Sequence, residues 1–568
     1  MTELLPPGTI LIVGALLFPL LRGRALQAWV LLLPILSGAH LLTFDAGTVV
    51  RLDLLGYGLT PIRIDALSLV WGYIFHIAAF LGGLFALHLT DRGQHVAGYT
   101  YAGSAIAAVF AGDLVSLFVF WELTAVTSVF LIWARRTERS FAAGMRYLLI
   151  QVSSGLLLFA GILVLVAGGR SIEFGAISSS VFPTEPAALL IFLAFGIKAA
   201  FPLLNNWLED TYPEATVTGT VFLSAFTTKL AIYALARGFA GTESLIWIGA
   251  IMTAYPIFYA VIENDLRRVL AYSLNNQLGF MVVGIGIGSA LSLNGTASHA
   301  FTHILYKALL FMSMGAVLYR TGTIKGSELG GLYKSMPWTA AFCSVGAASI
   351  SAFPLFSGFI SKSLILAALA EEHRTVTWLV LLFASAGVFH HSGIKIPYFA
   401  FFGHDSGIRV KEAPRNMLLA MGITAALCIG LGCIPGPLYS ILPFDADYNP
   451  YTTAHVINQL QLLLLSAGAF TFLKRSGLYP PELRSTNLDF DWTYRRALPA
   501  VVGAAGWTIR QVRTGVLEIV DDLMLLTYRF ILHLHGPTGV FARTWTTGAI
   551  ALWAVLGLWG FLLLYYLA

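Results

Sequence analysis

Apolar runs long enough to cross a bilayer follow one another along almost the whole chain. A span needs about 20 mostly apolar residues. Candidates lie near 5–21, 25–43, 65–89, 96–111, 113–134, 141–167, 187–207, 215–237, 244–262, 268–289, 296–319, 337–371, 376–402, 415–441, 453–473 and 546–567. Inside hydrocarbon every backbone polar group must be paired, which leaves helices or closed barrels. Runs of this length predict helices. Of 568 residues, 57% are hydrophobic and 11% are charged. Soluble domains carry about 25% charged residues, so the chain is too poor in charge to cover a water-facing surface. It reads as an all-α polytopic membrane protein. The N-terminus, MTELLPPGTILIVGALLFPLL, lacks a positive leader and reads as a first helix rather than a cleaved signal. The stretch 48–64 alternates around glycines and predicts a short surface hairpin.

Against that background, a few charges stand where a lipid-facing helix has no use for them. Glu122 lies in DLVSLFVFWELTAVTSVFLIW, Lys198 in ALLIFLAFGIKAAFPLL and Lys229 in VFLSAFTTKLAIYALA. Lys307 lies in HAFTHILYKALLFMSMGAVL, and Lys362 follows a proline in SAFPLFSGFISKSLILAAL. An ionisable group at the centre of a bilayer costs about 2.5–3.5 kcal/mol on insertion scales and is usually tied to an ion path or a partner. Five such groups on separate helices point to a wire for protons or cations. Pro202 follows Lys198 by one turn, and Pro354 with Gly358 splits 337–371 ahead of Lys362. Proline removes a backbone donor, and in transporters broken helices gather at ion sites.

Two histidine clusters extend the set. His299, His303 and Lys307 are spaced by four and share a helix face. Histidine titrates near neutral pH, which suits a relay; packing histidines with satisfied hydrogen bonds are the alternative. His390, His391 and Lys395 form the second cluster, with His391 and Lys395 on one face. Lys395 precedes Pro397, and either a transport role or a side chain snorkelling to the interface fits it. Two histidines are too few for a metal site. Cys343, Cys428 and Cys433 show no CxxC spacing, so neither a disulfide framework nor an iron–sulfur cluster is expected. No cofactor motif is present. The formal charge of +5 reflects loop arginines, and nothing in the sequence points to nucleic acid.

Loops after odd-numbered spans carry most of the Lys and Arg, including Arg135, Arg136, Arg139, Arg267 and Arg268. The positive-inside rule then makes them cytoplasmic and puts the N-terminus outside. Arg267 and Arg268 are expected to serve topology. Asp113 is expected to cap a helix. Glu209, Asp210 and Glu214 could draw cations to a cytoplasmic mouth, but a solvated loop is the favoured reading. Beyond residue 475 the pattern changes. Ile509, Val512, Val516, Ile519, Leu523, Leu526 and Phe530 recur at helical spacing, with Arg510, Arg513, Asp522 and Arg529 between them. This predicts an amphipathic helix suited to a membrane surface or a partner.

Six stretches occur in one order: AGDLVSLFVFWELTAVTSVFLI, FGIKAAFPLLNNWLEDTYPEA, FTTKLAIYALAR, ENDLRRVLAYSLNNQLGFMVVG, HAFTHILYKALLFMSMGAVL and FPLFSGFISKSLI. Together they resemble the antiporter-like subunits shared by Mrp-type Na+/H+ antiporters, respiratory complex I and membrane-bound hydrogenases. The likeness covers roughly 60–440, and FGIKAAFPL and TKLAIYALAR look closest to the Mrp D subunit. It implies a fourteen-helix core with two inverted five-helix repeats, each with one broken helix. It also implies that Glu122, Lys198, Lys229, Lys307 and Lys362 carry protons, with Glu122 ion-paired. The division expected is 1–95 for N-terminal helices and hairpin, 96–238 and 244–402 for the two repeats, and 403–475 for further helices. An amphipathic cytoplasmic-side segment at 476–545 and a last span at 546–568 complete it. The long C-terminal end is more reminiscent of the distal complex I subunit. The function implied is proton translocation, with Na+/H+ antiport as one form, within a multisubunit complex of a bacterial inner membrane, its partners being other membrane subunits and the lipid bilayer. A proton-pumping arm of a complex I-like dehydrogenase, a hydrogenase or an inorganic-carbon uptake complex is the second reading, and a non-conducting scaffold the third. No covalent catalysis is expected of the chain alone.

Overall fold

The computed structural model describes residues 5–54, 56–445, 447–483, 487 and 489–567. It divides into two units, Met1–Asp489 and Phe490–Ala568. Eleven helices among the described residues are long and apolar enough to cross a membrane, and Thr9–Leu20 and Pro186–Lys198 are shorter apolar helices. Each predicted span coincides with a helix or a broken pair of helices. The predicted hairpin is the antiparallel pair Val49–Leu54 and Tyr57–Arg63; residue 55 lies outside the described residues.

In the first unit, two stretches are built alike. Asp113 caps the helix Leu114–Trp133, its carboxylate accepting from Ser116 N at 2.7 Å, and also accepts from Thr60 N of the hairpin at 2.7 Å. Asp265 caps Leu266–Ile287 in the same way, through Arg267 N and Arg268 N. Asp113 forms an isolated β-bridge with Glu173, and Asp265 forms one with Lys325. The sequence AFPL then appears after each cap at the same distance along the chain, as Ala200–Leu203 and Ala352–Leu355. Ala200 and Leu203 take φ of 62° and 72°, and Ala352 and Leu355 take 57° and 74°. In each stretch the amide after the left-handed alanine reaches back over the helix end: Phe201 N to Gly196 O at 2.9 Å, and Phe353 N to Ala348 O at 3.0 Å. This is the closing bond of a Schellman-type end. Left-handed backbone costs roughly 1–2 kcal/mol for a side chain with Cβ. The same turn therefore needs strong local support in both places.

Two further irregularities begin without a proline, at Phe226 and at Phe389, although Pro397 lies between the two π segments that follow the second. The predicted span 215–237 is split at Phe226 into Val217–Ala225 and Thr227–Gly238. The helix Thr375–Val388 loosens into π turns over Phe389–Lys395 and Tyr398–Phe402, a geometry common at functional sites. The helix Ala290–Thr321 is buried on nearly every side and forms the core of the unit, as expected for a helix that is apolar or small all round. Helices at the periphery instead expose large apolar side chains, such as Leu149, Leu156 and Leu163 of Glu138–Ala167. Such a surface belongs against lipid or another subunit.

Two expectations are corrected. Glu209, Asp210 and Glu214 are not a solvated loop. Glu209 and Asp210 are buried on the short helix Asn206–Thr211. Asp210 pairs with Arg146 at 2.6 Å, and Glu214 pairs with Arg135 at 3.1 Å and Arg139 at 3.0 Å. Arg146 and Arg135 lie 64 and 79 residues from the acids they meet, so local sequence gives no hint of the burial. Arg267, expected to serve topology, is instead buried in the fold. It is 1% exposed and donates to the carbonyls of Pro213 (3.0 Å), Tyr212 (3.3 Å), Ala215 (3.2 Å) and Thr216 (3.3 Å), and to Thr220. It fastens the turn after the first break to the second repeat-like stretch.

In the second unit, Leu498–His535 is one helix of 38 residues with no buried residue. At 1.5 Å per residue it is about 57 Å long. Ile509, Val512, Val516, Ile519, Leu523, Leu526 and Phe530 are all exposed along it. The helix Thr547–Leu567 follows, apolar and exposed throughout.

The Arg267 contacts generate a stability prediction. Arg267→Ala removes the charged donor shared by Pro213 O, Tyr212 O, Ala215 O, Thr216 O and Thr220 Oγ1 and is expected to destabilise the protein by about 3 kcal/mol. Arg267→Lys recovers only part of this, because an ammonium lacks the planar fork. Thermal unfolding in detergent, followed by tryptophan fluorescence, measures both; an unchanged transition in Arg267→Ala contradicts the assignment.

Candidate functional site

The buried charges predicted from sequence come together inside the first unit. Lys198, Lys229, Lys307, Lys362 and Lys395 are all 0–2% exposed. Four of them are held by main-chain carbonyls. Lys198 ends the helix Pro186–Lys198 ahead of the break at Pro202. Its ammonium donates to Trp121 O at 2.6 Å and Thr124 Oγ1 at 2.8 Å, and lies 4.2 Å from the centre of the Trp121 ring. Lys229 reaches back across the Phe226 break to Ser224 O at 2.6 Å and also donates to the adjoining Thr228 Oγ1 at 3.2 Å. Lys362 lies beyond the Pro354 break and returns to Ile350 O, the last residue of Pro337–Ile350, at 2.8 Å. Lys395, in the π segment, donates to Val261 O and Glu263 O at 2.6 Å each and pairs with Glu482 at 3.1 Å. Carbonyls at helix C-termini carry partial negative charge and attract cations. Ser224, Ile350 and Val261 all stand in such last turns.

Lys307 differs. Among the described residues its ammonium has no hydrogen-bond partner, and neither does either ring nitrogen of His303. Both lie on the buried helix Ala290–Thr321. The charges of Lys229 and Lys362, each beside a helix break, both act on Lys307. His303 stacks on His299, with centroids 6.0 Å apart. His299 Nδ1 bonds Ser361 Oγ at 3.0 Å, beside Lys362. His391 Nδ1 bonds Ser392 Oγ at 2.8 Å, and Ser392 donates to Ser273 Oγ at 2.7 Å. The charges of Lys307, Lys362 and Lys395 all act on His391, which joins the second histidine cluster to the first.

Glu122 departs from its expected ion pair. Among the described residues no salt bridge joins it to Lys198. Trp121 and Thr124 meet the lysine, and Glu122 is turned about 100° around the helix from Trp121. Its carboxylate lies against Gly155, where a Cβ would come within 1.4 Å of Oε1. The Lys198 charge nonetheless acts on it.

Several linking residues carry no sequence signal. Ser128 Oγ and Tyr147 OH are 2.8 Å apart, Tyr147 OH and Thr227 Oγ1 3.4 Å, and Tyr101 OH and Thr227 Oγ1 2.5 Å. This hydroxyl chain runs from the Glu122 helix to the Lys229 helix. The amides of Asn275, Asn276 and Gln277 are more legible: three buried amides in an apolar helix. Gln277 donates to Asn276 Oδ1 at 2.6 Å and accepts from Tyr306 OH at 3.0 Å. The arrangement is a buried row of titratable and hydrogen-bonding groups, most of them bonded to neutral partners.

The family described as NADH:quinone oxidoreductase/Mrp antiporter, TM matches residues 111–390, which include every predicted site residue except Lys395 and His391. The chain is 30% identical to the D subunit of the Na(+)/H(+) antiporter of Alkalihalophilus pseudofirmus, over 60% of this chain and 73% of that protein. It is 28% identical to hydrogenase-4 component B of Escherichia coli K12, over 65% of this chain, and spans 61% of that relative's length. A chain of the archaeal membrane-bound sulfane sulfur reductase complex shares the fold, with a TM-score of 0.72 at 21% identity, covering 99% of this chain and 100% of that one. The chain belongs to the NADH:quinone oxidoreductase/Mrp antiporter transmembrane family.

Proposed function

We propose that the chain is the ion-translocating subunit of a multisubunit membrane complex and moves protons, in exchange for Na+ in an antiporter setting, along the buried row from Glu122 and Lys198 through Lys229, His303, Lys307, His299 and Lys362 to His391 and Lys395. The observation that carries this reading is the pairing of Lys198, Lys229 and Lys362 with carbonyls and hydroxyls rather than carboxylates. A lysine held that way can lose its proton without stranding a buried carboxylate, whereas breaking a buried ion pair is strongly unfavourable. Lys307, without a protein partner, is the group most ready to change protonation. Pro202 and Pro354 supply the helix breaks. The two repeats at 96–238 and 244–402 then each contribute one broken helix to the row. Loop arginines favour a cytoplasmic face at the Arg135–Arg146 end and an external N-terminus, in a bacterial inner membrane.

A second reading, the proton-pumping arm of a redox or carbon-uptake complex, is favoured by the helix Leu498–His535. Its fully exposed apolar stripe requires a bilayer surface or partner subunits along its length. The proteins that co-purify in mild detergent separate the two readings: small Mrp-type membrane proteins, or a soluble protein bearing metal clusters.

Flux measured with a pH dye in everted vesicles, normalised to protein level, tests the row. Lys198→Ala and Glu122→Gln are expected to reduce it to background while the protein still inserts. Lys198→Arg is expected to fail as well, because Arg keeps its proton at any physiological pH; this separates a titrating group from a fixed charge. Wild-type flux in Lys198→Ala favours a non-conducting scaffold. For the long helix, Ile519→Glu with Leu523→Glu is expected to release partner subunits on native gels, and an intact complex contradicts a bracing role.

A further inference from the structure

The row needs a place to collect protons from water, and the buried acids after the first break provide a candidate. Glu209 is 2% exposed on the helix Asn206–Thr211. Its Oε1 receives one long bond, 3.4 Å, from Asn275 Nδ2, and its Oε2 has no hydrogen-bond partner. A second carboxylate, Asp489, stands close enough for its charge to act on Glu209. Asp489 is well supplied with donors: the Asn206 amide, Tyr255 OH at 2.9 Å and Tyr272 OH at 2.9 Å. Arg268 also faces this spot, and its charge acts on Glu209 in the opposite sense to Asp489. Arg268 pairs with Glu263 at 3.5 Å and donates to Asn487 O at 3.1 Å, and Asp210 is taken by Arg146.

A like charge nearby disfavours the ionised form of a buried carboxylate, and hydrogen-bond donors favour it. Asp489 accepts from the Asn206 amide and two tyrosine hydroxyls, whereas the more deeply buried Glu209 has one long bond from Asn275 with added support from Asn205 and the main chain. We propose that Glu209 is the proton-loading group of this subunit. It takes a proton from bulk water at the arginine-rich end, becomes a neutral carboxylic acid, and returns to carboxylate when the proton passes inward. Asp489 is the positioning residue that makes loading favourable. The inward direction is marked by polar groups: Asn275 touches Glu209, and the adjoining Asn276, Gln277 and Tyr306 lead to His299, with Tyr306 OH 3.4 Å from His299 Nε2. This assignment rests on the proton-translocating reading above and adds its uptake site.

The test uses the full-length chain in its co-purifying complex, in everted vesicles, with proton flux recorded across a pH series. Glu209→Gln is expected to lower flux roughly tenfold or more, within the range for losing a positioned proton carrier. Glu209→Asp is expected to restore part of it. Asp489→Asn removes the neighbouring charge, so Glu209 releases its proton more readily and the flux profile moves to lower pH by about one unit. A merely structural role for either residue leaves the profile in place. If Glu209→Gln fails to assemble, the Asp489→Asn profile decides. Wild-type flux and an unmoved profile, with Lys198→Ala inactive, overturn the loading assignment alone; wild-type flux in Lys198→Ala overturns the reading on which it rests.

Discussion

Buried lysines bonded to the carbonyls of helix ends are the interaction on which the rest of the structure depends. A continuous helix bonds its carbonyls to its own amides and has few to offer a cation. Breaking the helix frees carbonyls in the middle of the protein. Here the breaks at Pro202, Phe226 and Pro354 each lie within a turn or two of a lysine. Ser224 O and Ile350 O are bonded by Lys229 and Lys362, and Val261 O at another helix end by Lys395. The strained backbone at Ala200, Leu203, Ala352 and Leu355 is thus part of the site, in keeping with the tendency of strain to gather where function needs it.

This arrangement also explains why the row is poor in carboxylates. A lysine–carboxylate pair in a dry interior is held in one protonation state, because removing either charge leaves the other alone. Carbonyls and hydroxyls solvate an ammonium and tolerate an amine. Acidic groups are kept toward the edges: Glu122 against Gly155, Glu482 beside Lys395, and Glu209 with Asp489. The centre, on the helix Ala290–Thr321, holds His303 and Lys307 with no fixed partner.

Much of this is legible in the sequence, for specific reasons. Apolar runs locate the helices because hydrocarbon permits no alternative for runs of that length. Lys198, Lys229, Lys307 and Lys362 are conspicuous because their neighbours are apolar. The breaks at Pro202 and Pro354 are marked by proline. The break at Phe226 is not, since FLSAFTTKL contains neither proline nor glycine, and the π turns at 389–402 carry only Gly393 and Pro397 as a hint. Tyr101, Tyr147 and Ser128 are unremarkable in sequence and join only when distant helices meet. Glu209 and Asp210 pass for solvated residues because their partners, Asn275 and Arg146, come from other helices. Glu122 is expected to touch a lysine; its position one residue from Trp121 turns it to another face.

The central claim is that the interior lysines change protonation during transport, and Lys307 tests it most directly because no protein group holds it. Proton uptake into proteoliposomes carrying the purified complex, driven by a set membrane potential and followed with an internal pH dye, is the measurement. With Lys307→Met, similar in length but unable to carry a proton, the account predicts uptake at the level of protein-free liposomes in an otherwise assembled complex. Uptake at the wild-type rate would contradict it.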